Sequence, residues 1–252
     1  MPWTFAHAAA AVLVRRFGAA SLPLPGLVTG SLSPDFGYYV GAFGVATHAH
    51  TLRGAVAVCV PSACVVLLLV LRLRGLLVAP LPQPHRRALE GLPSPSFGSM
   101  ADIARMLAAV WVGAVTHVAW DSFTHASGAM VSLIAPLRRA LFEVSGRTFA
   151  TYNILQHVGT LVGIAVIGLA YGRWLVRSVG LASCVQWRAL RACIPLVLVV
   201  LLCLAAGFGS AMLRLGPGSG WAVIVFRGVV DATVAFALAY LLLAWRAWRR
   251  RG

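Results

Sequence analysis

The chain has 252 residues, 60% of them hydrophobic and 11% charged, and its mean hydropathy of +0.86 excludes an ordinary soluble globular domain. The formal charge of +15 comes entirely from arginine, since the sequence contains no lysine. These arginines sit in short links between apolar runs, where they act as orientation signals, so no nucleic-acid partner is expected.

Residues 4–17 predict a short helix that cannot cross a bilayer, because a hydrocarbon core of roughly 30 Å needs about 20 apolar residues. This N-terminus has no basic residue ahead of its apolar part, so it reads as a retained segment and not a signal peptide. The stretch 18–47 is broken by Gly, Pro and Ser. Irregular backbone at membrane depth survives only where protein or water covers it, so we read 18–47 as a re-entrant or interfacial cap on the outer face. Apolar runs at 54–78, 101–121, 153–176, 192–213 and 221–245 predict five transmembrane helices. The expected fold is an all-α, polytopic membrane helix bundle forming a single domain over 1–252. In it, 1–160 carries the polar site and 161–252 supplies supporting helices. The link 80–100 is proline-rich, and a helix start is expected near Ser99, with Asp102 in the first turn where its charge suits the helix dipole.

Arg72, Arg74, Arg86, Arg87 and Arg105 flank the first link between spans, Arg173, Arg177, Arg188 and Arg191 the third, and RAWRRR follows the fifth span. The positive-inside bias makes these regions cytoplasmic, the C-terminus with them, and leaves 122–152 and the segment before 54 on the outer face. Arg138, Arg139 and Arg147 in the outer link run against that bias. The cysteines 59, 64, 184, 193 and 203 form no CxxC pair and read as small packing residues.

Only six acidic residues are present, yet THVAWDSFTHASG places His117, Asp121 and His125 four apart at the end of the second apolar run. Positions four apart share one face of a helix, so His117 and Asp121 can address one ion, with His125 joining if the helix continues. An isolated HxxxD is equally compatible with a plain hydrogen bond. What strengthens the metal reading is topology, which puts His7, His48, His50, His157 and Asp35 on the same outer side. Ionisable groups near hydrocarbon are costly unless something compensates them, and a divalent ion does so. Imidazole with carboxylate suits Zn best, and Mn²⁺ or Fe²⁺ less selectively. The competing reading is a hydrogen-bonded cluster that only fastens helices together.

The segments MPWTFAHAAA, SLSPDFGYY, THAHTLRG and HVAWDSFTHASG resemble a bacterial membrane-protein family catalogued as a domain of unknown function. That family is similar in its His and Asp pattern to inner-membrane metal-dependent hydrolases, and distantly to the zinc-dependent phospholipase C and P1 nuclease group. The resemblance covers roughly residues 1–160 and implies a metal-assisted phosphoester hydrolase. It puts Asp35, His50, His117, Asp121 and His125 on matching positions. Members often show a single SHT where this chain reads THAHT, which leaves His48 and His50 as alternatives. The ligating N-terminal amine and later HxxxE of the soluble enzymes have no counterpart here, so one or two ions are implied and not three.

In such an enzyme the ion activates water and polarises the phosphoryl oxygen. Asp121 bridges two ions or acts as general base, Asp35 is the second reactive carboxylate, and His7 and His157 are ligands or orienting groups. The substrate is then drawn from membrane lipid headgroups or lipid-linked phosphates, with Arg53, Arg138 and Arg139 on the same side. A metal or proton transporter is the rival, with Arg227 and Asp231 inside the fifth run as its pathway, although an i,i+4 pair of opposite charge also neutralises itself. A non-catalytic metal-binding membrane protein is the third reading. No P-loop and no GxSxG elbow is present.

Overall fold

Residues 3–18, 20–144, 147–180, 187–216 and 218–250 are described by a computed structural model of the protein, with backbone only over 187–193. A 3₁₀ turn at Thr4–His7 leads into α1 (Ala8–Phe17). The Gly/Pro-rich stretch that follows holds more helix than its composition suggests. α2 (Leu24–Leu32) begins at the prolines, where a missing N–H costs nothing, and runs into a 3₁₀ turn at Ser33–Asp35. α3 (Phe43–Ala49) then leads to α4 (Leu52–Arg72). Thr51 caps α4 by accepting the Gly54 amide at 2.9 Å, and Ala55–Cys59 forms a π-helical turn within it.

α5 (Met100–Thr124) starts at Ser99, whose hydroxyl accepts the Asp102 amide at 3.1 Å, as the sequence leads one to expect. The outer link contains an antiparallel hairpin, β1 (Ala140–Val144) and β2 (Arg147–Ala150). α6 (Thr151–Val179), α7 (Trp187–Leu215) and α8 (Trp221–Arg249) complete the chain. The fold is all-α apart from that hairpin. Among the described residues five helices are long and apolar enough to cross a bilayer, and the chain is a multi-pass membrane protein. The first span stops at Arg72, and Arg74–Val78 is a separate helix where the apolar run predicts continuity.

The chain divides into two compact units, Met1–Leu68 with Pro95–Tyr171, and Leu69–Ser94 with Gly172–Gly252. In the first, α2 crosses α5 at backbone contact. A Cβ on Gly30 would collide with the Val110 carbonyl, and one on Gly113 with the Leu27 carbonyl. Ala11, Leu27 and Ala109 fill the adjoining core, while Ala49, Ala55, Cys59 and Ala114 join α4 to α5. Small residues are what let backbones approach this closely in lipid.

In the second unit α7 packs along α8 through Gly207 on Ala232 and Gly228 on the Phe208 ring. Asp231 accepts a hydrogen bond from Ser210 at 3.0 Å and lies 3.9 Å from the Arg214 guanidinium, so its charge is compensated across the helix pair. Cys59 and Cys203 are buried and unpaired, as packing residues are. Cys184 and the side chains of Cys193, Arg188 and Arg191 lie outside the described residues.

Candidate metal centre

The close α2–α5 crossing fixes the first half of the site. It holds the Ser31 carbonyl 2.7 Å from Nδ1 of His117, a residue with no exposed surface. Nδ1 therefore carries the ring proton and donates it, which leaves Nε2 bare. The Nδ1 of His50 is fixed likewise, donating to the Ala46 carbonyl at 2.7 Å, so that Nε2 faces the pocket. Histidines that ligate metals are oriented by this kind of outer contact.

Asp35 enters from the 3₁₀ turn after α2 and is 1% exposed. The Thr4 hydroxyl donates to its Oδ2 at 2.5 Å, and since that uses Thr4's only proton, the Tyr39 hydroxyl donates to Thr4 Oγ1, also at 2.5 Å. Only Oδ1 of Asp35 then faces inward. It lies 3.3 Å from His50 Nε2 and 3.9 Å from His117 Nε2. Asp121, one turn beyond His117, presents Oδ2 at 3.3 Å from His117 Nε2 and 3.4 Å from His50 Nε2. Its Oδ1 lies 3.5 Å from both His7 Nε2 and His125 Nδ1.

None of these pairs has hydrogen-bond geometry. Asp35 Oδ1, both oxygens of Asp121, both nitrogens of His7, and Nε2 of His50 and His117 are all buried without a hydrogen-bond partner. Seven orphaned atoms in one place is far outside what a folded interior tolerates, since each costs about 1–3 kcal/mol. They are reconciled by one observation. With metal–ligand bonds of about 2.0–2.1 Å, two atoms can share an ion if they lie within roughly 4.1 Å of each other. Every N···O separation above meets that limit, so the donor set fits a divalent ion. Two geometrically compact groups emerge, His7, His117 and Asp121, and Asp35, His50 and His117.

The electrostatics agree for the groups outside the spans. Burial works against charge on His50, but the facing Asp121 and Asp35 outweigh it and push its pKa up to about 10. Burial would raise Asp35, and the facing His50 imidazole, the neighbouring His117 and the hydrogen bond from Thr4 hold it below its ordinary value instead. His7 is pushed down to about 3, chiefly by burial and then by His117, and stays neutral. A pocket that holds carboxylates ionised and attracts a proton between them is one that attracts a cation.

The expected residues do not all gather. His48 lies on the exposed side of α3, with its backbone carbonyl accepting the Thr51 hydroxyl at 2.8 Å. Of the pair left open by the THAHT stretch, it is His50 that faces the cluster. His157 is exposed on α6 and outside both compact groups. His125 reaches Asp121 by a route other than a continued helix, since α5 ends at Thr124 and His125 is its extended C-cap. Arg53, Arg138 and Arg139 are exposed.

Thr4 and Tyr39 are the residues that sequence reading missed. A Thr three residues before a His on a short helix is a weak signal, and nothing in the sequence pairs it with Asp35. Trp120, one position before Asp121, also has a buried indole N–H without a hydrogen-bond partner, with its ring against Gly159.

No curated protein and no solved structure matches the chain. One family profile does, described as "Domain of unknown function (DUF4184)", over residues 1–245, and on that near-complete match the protein belongs to the DUF4184 family.

Proposed function

We propose that the protein is a membrane-embedded, divalent-metal-dependent hydrolase of phosphoesters such as lipid headgroups or lipid-linked phosphates. The observation that carries this reading is the convergence of seven orphaned, buried polar atoms from four separate segments, six of them in N···O pairs short enough to share an ion. His50 Nε2, His117 Nε2, Asp35 Oδ1 and Asp121 Oδ2 would hold the ion. Two carboxylates and two neutral imidazoles balance its double charge, which removes the cost of burying either carboxylate alone. Imidazole and carboxylate donors favour Zn.

When bound, the ion supplies Lewis-acid polarisation of the phosphoryl oxygen and acidification of water. The chain itself keeps the reacting groups still. The Ser31 and Ala46 carbonyls hold the Nδ1 protons of His117 and His50, and Thr4 with Tyr39 holds Asp35 by its outer oxygen. In the net reaction the water oxygen bonds to phosphorus, the P–O bond to the alcohol breaks, and a water proton ends on the leaving oxygen.

The cluster lies at the start of α4 and the end of α5. The arginine-rich links sit at the opposite ends of these helices, which favours an outer-face site in the bacterial inner membrane and a cytoplasmic C-terminus. Metal content of detergent-purified protein and of the His117→Ala/Asp121→Ala double variant tests the reading, together with phosphate or headgroup release from a lipid panel. Zinc or manganese in the wild type, lost with hydrolysis in the variant, is the expected result. Equal, negligible metal in both overturns it, and metal flux in proteoliposomes without hydrolysis would identify a transporter instead.

A further inference from the structure

We propose that the β1–β2 hairpin between the second and third spans is a lipid-docking surface. Its Phe142–Phe149 face lies in the headgroup layer of the bilayer, and its arginines select anionic phospholipid. The proposal needs the membrane placement of the chain and no bound metal, so it stands apart from the hydrolase reading.

Strand register sorts the hairpin into two faces. Phe142 is paired with Phe149 and Val144 with Arg147, and alternate residues of a strand share a side, so these four side chains point one way. Glu143 and Thr148, the pair between them, point the other way. Hydrocarbon and a cation are thus gathered on one face, and the one acidic residue of the hairpin is set on the other. The apolar face is built as a unit. The Phe142 and Phe149 rings stack with centroids 5.1 Å apart and planes within 18° of parallel, and the Arg147 guanidinium carbon lies 5.2 Å from the Phe149 centroid. An arginine held over an aromatic ring keeps its charge at the rim of an apolar patch, as side chains do where hydrocarbon meets water.

This patch is uncovered within the chain. β1 is exposed along its whole length, with Leu141 and Phe142 each at 49% and Val144 at 54%. Single apolar residues on a surface need no explanation, but a contiguous set marks a contact. Attachment of the hairpin identifies what makes that contact. β2 runs into α6 with no residue between them, and the base is tied to the first turn of that span. The Thr151 amide donates to the Arg139 carbonyl at 3.1 Å, and the Ala150 amide to the Asn153 side-chain oxygen at 3.0 Å. Strands this short reach roughly 15 Å at about 3.4 Å per residue, so the whole hairpin stays close to the end of a transmembrane helix. The nearest apolar neighbour of a face tethered there is lipid.

Charge then selects the lipid. Arg138, Arg139 and Arg147 are all exposed, against Glu143 alone. On the orientation proposed above they run against the charge bias of the links, and attraction to anionic headgroups offsets that.

The test uses full-length protein in vesicles of equal parts phosphatidylcholine and phosphatidylglycerol, with 4-trifluoromethylphenylalanine in place of Phe142. Its fluorine signal is read against a lipid carrying a nitroxide just below the headgroup, and separately against a water-soluble gadolinium chelate. Loss of the signal with the lipid nitroxide, and a sharp signal with the chelate, is the expected result. The reverse pattern shows a solvated hairpin and overturns the proposal. A signal untouched by either shows a face covered by protein, a second copy of the chain or another partner, and overturns it too. Lipids retained through detergent exchange, counted by mass spectrometry, test the selectivity. Phosphatidylglycerol should be enriched over phosphatidylcholine with the wild type. In the Arg138→Gln/Arg139→Gln/Arg147→Gln variant that enrichment should fall by at least the roughly fivefold that one basic residue contributes at an anionic surface. An unchanged ratio defeats the anionic preference. The fluorine experiment, made without removing any arginine, decides the docking even where the triple variant fails to fold. Neither readout involves a metal, so a failure here leaves the hydrolase reading as it was, and a metal-free protein leaves this proposal as it was.

Discussion

Replacing Thr4 with Val tests whether the hydroxyl, rather than the packing, holds Asp35 ready. Val keeps the branched shape but removes the donor to Asp35 Oδ2 and the acceptor of the Tyr39 hydroxyl. Thr4 is 6% exposed, so water does not replace what is lost. A hydrogen bond to an ionised group contributes about 1.5–3 kcal/mol. If that stabilisation is felt only when Asp35 is presented to an ion, affinity falls by roughly 10–150-fold, since about 1.4 kcal/mol is a factor of ten. This agrees with the roughly 10–100-fold cost seen when groups supporting a ligand are removed. The assay is competition for Zn²⁺ against a chromophoric chelator at pH 7, with Thr4→Ser expected to recover most of the affinity. An affinity for Thr4→Val within twofold of wild type, beside an Asp35→Asn variant that binds nothing, would refute the reasoning and show that Asp35 is oriented by other means.

Further expectations concern packing, protons and the histidines left outside. Gly113→Ala forces a methyl group into the Leu27 carbonyl, so thermal unfolding in detergent should show a loss of about 1–3 kcal/mol, with a drop in metal affinity as the Ser31 carbonyl shifts. Because the pKa of His50 is raised from 6.5 to about 10, it is protonated at pH 7 in the ion-free protein. Metal uptake should then release about one proton per ion taken up there, measurable with a pH dye in weak buffer. The sign follows from the upward shift: charged His50 stabilises the ion-free fold fully below 6.5, and that contribution is lost as pH rises through 10. Metal affinity should rise across the same window. His48→Ala and His157→Ala should leave metal content unchanged, as both residues are exposed and lie outside the compact groups.

Hydropathy was enough to find the five spans to within a few residues at most ends, because a bilayer imposes a length and an apolar composition that few other environments do. It extended the first span past Arg72, since an apolar run looks the same whether it is one helix or two. The cap was harder. Gly26 and Gly30 read as helix breakers, yet they are there because α2 must touch α5. The one-turn spacing that puts His117 and Asp121 side by side in α5 was legible in the sequence. His125 was placed correctly beside Asp121 but for a different reason, as a C-cap and not as another turn. The choice between His48 and His50 depended on where α3 stops, and element ends are the least legible feature of a sequence. The contacts that orient the imidazoles come from the backbone carbonyls of Ser31 and Ala46, which every residue possesses, so no pattern of side chains could announce them.

The order in which the cluster's members occur along the chain constrains how it is made. His7, Asp35 and His50 are all synthesised before the first span, and Asp121 arrives only after a second hydrophobic segment has emerged. During that interval the early members have nothing to close on. The α2–α5 crossing is therefore a late docking event, and a cation held at the cluster would act as a clasp fastened after two helices have entered the bilayer. Starving cells of the metal during biosynthesis should leave a pool of inserted but protease-sensitive chains.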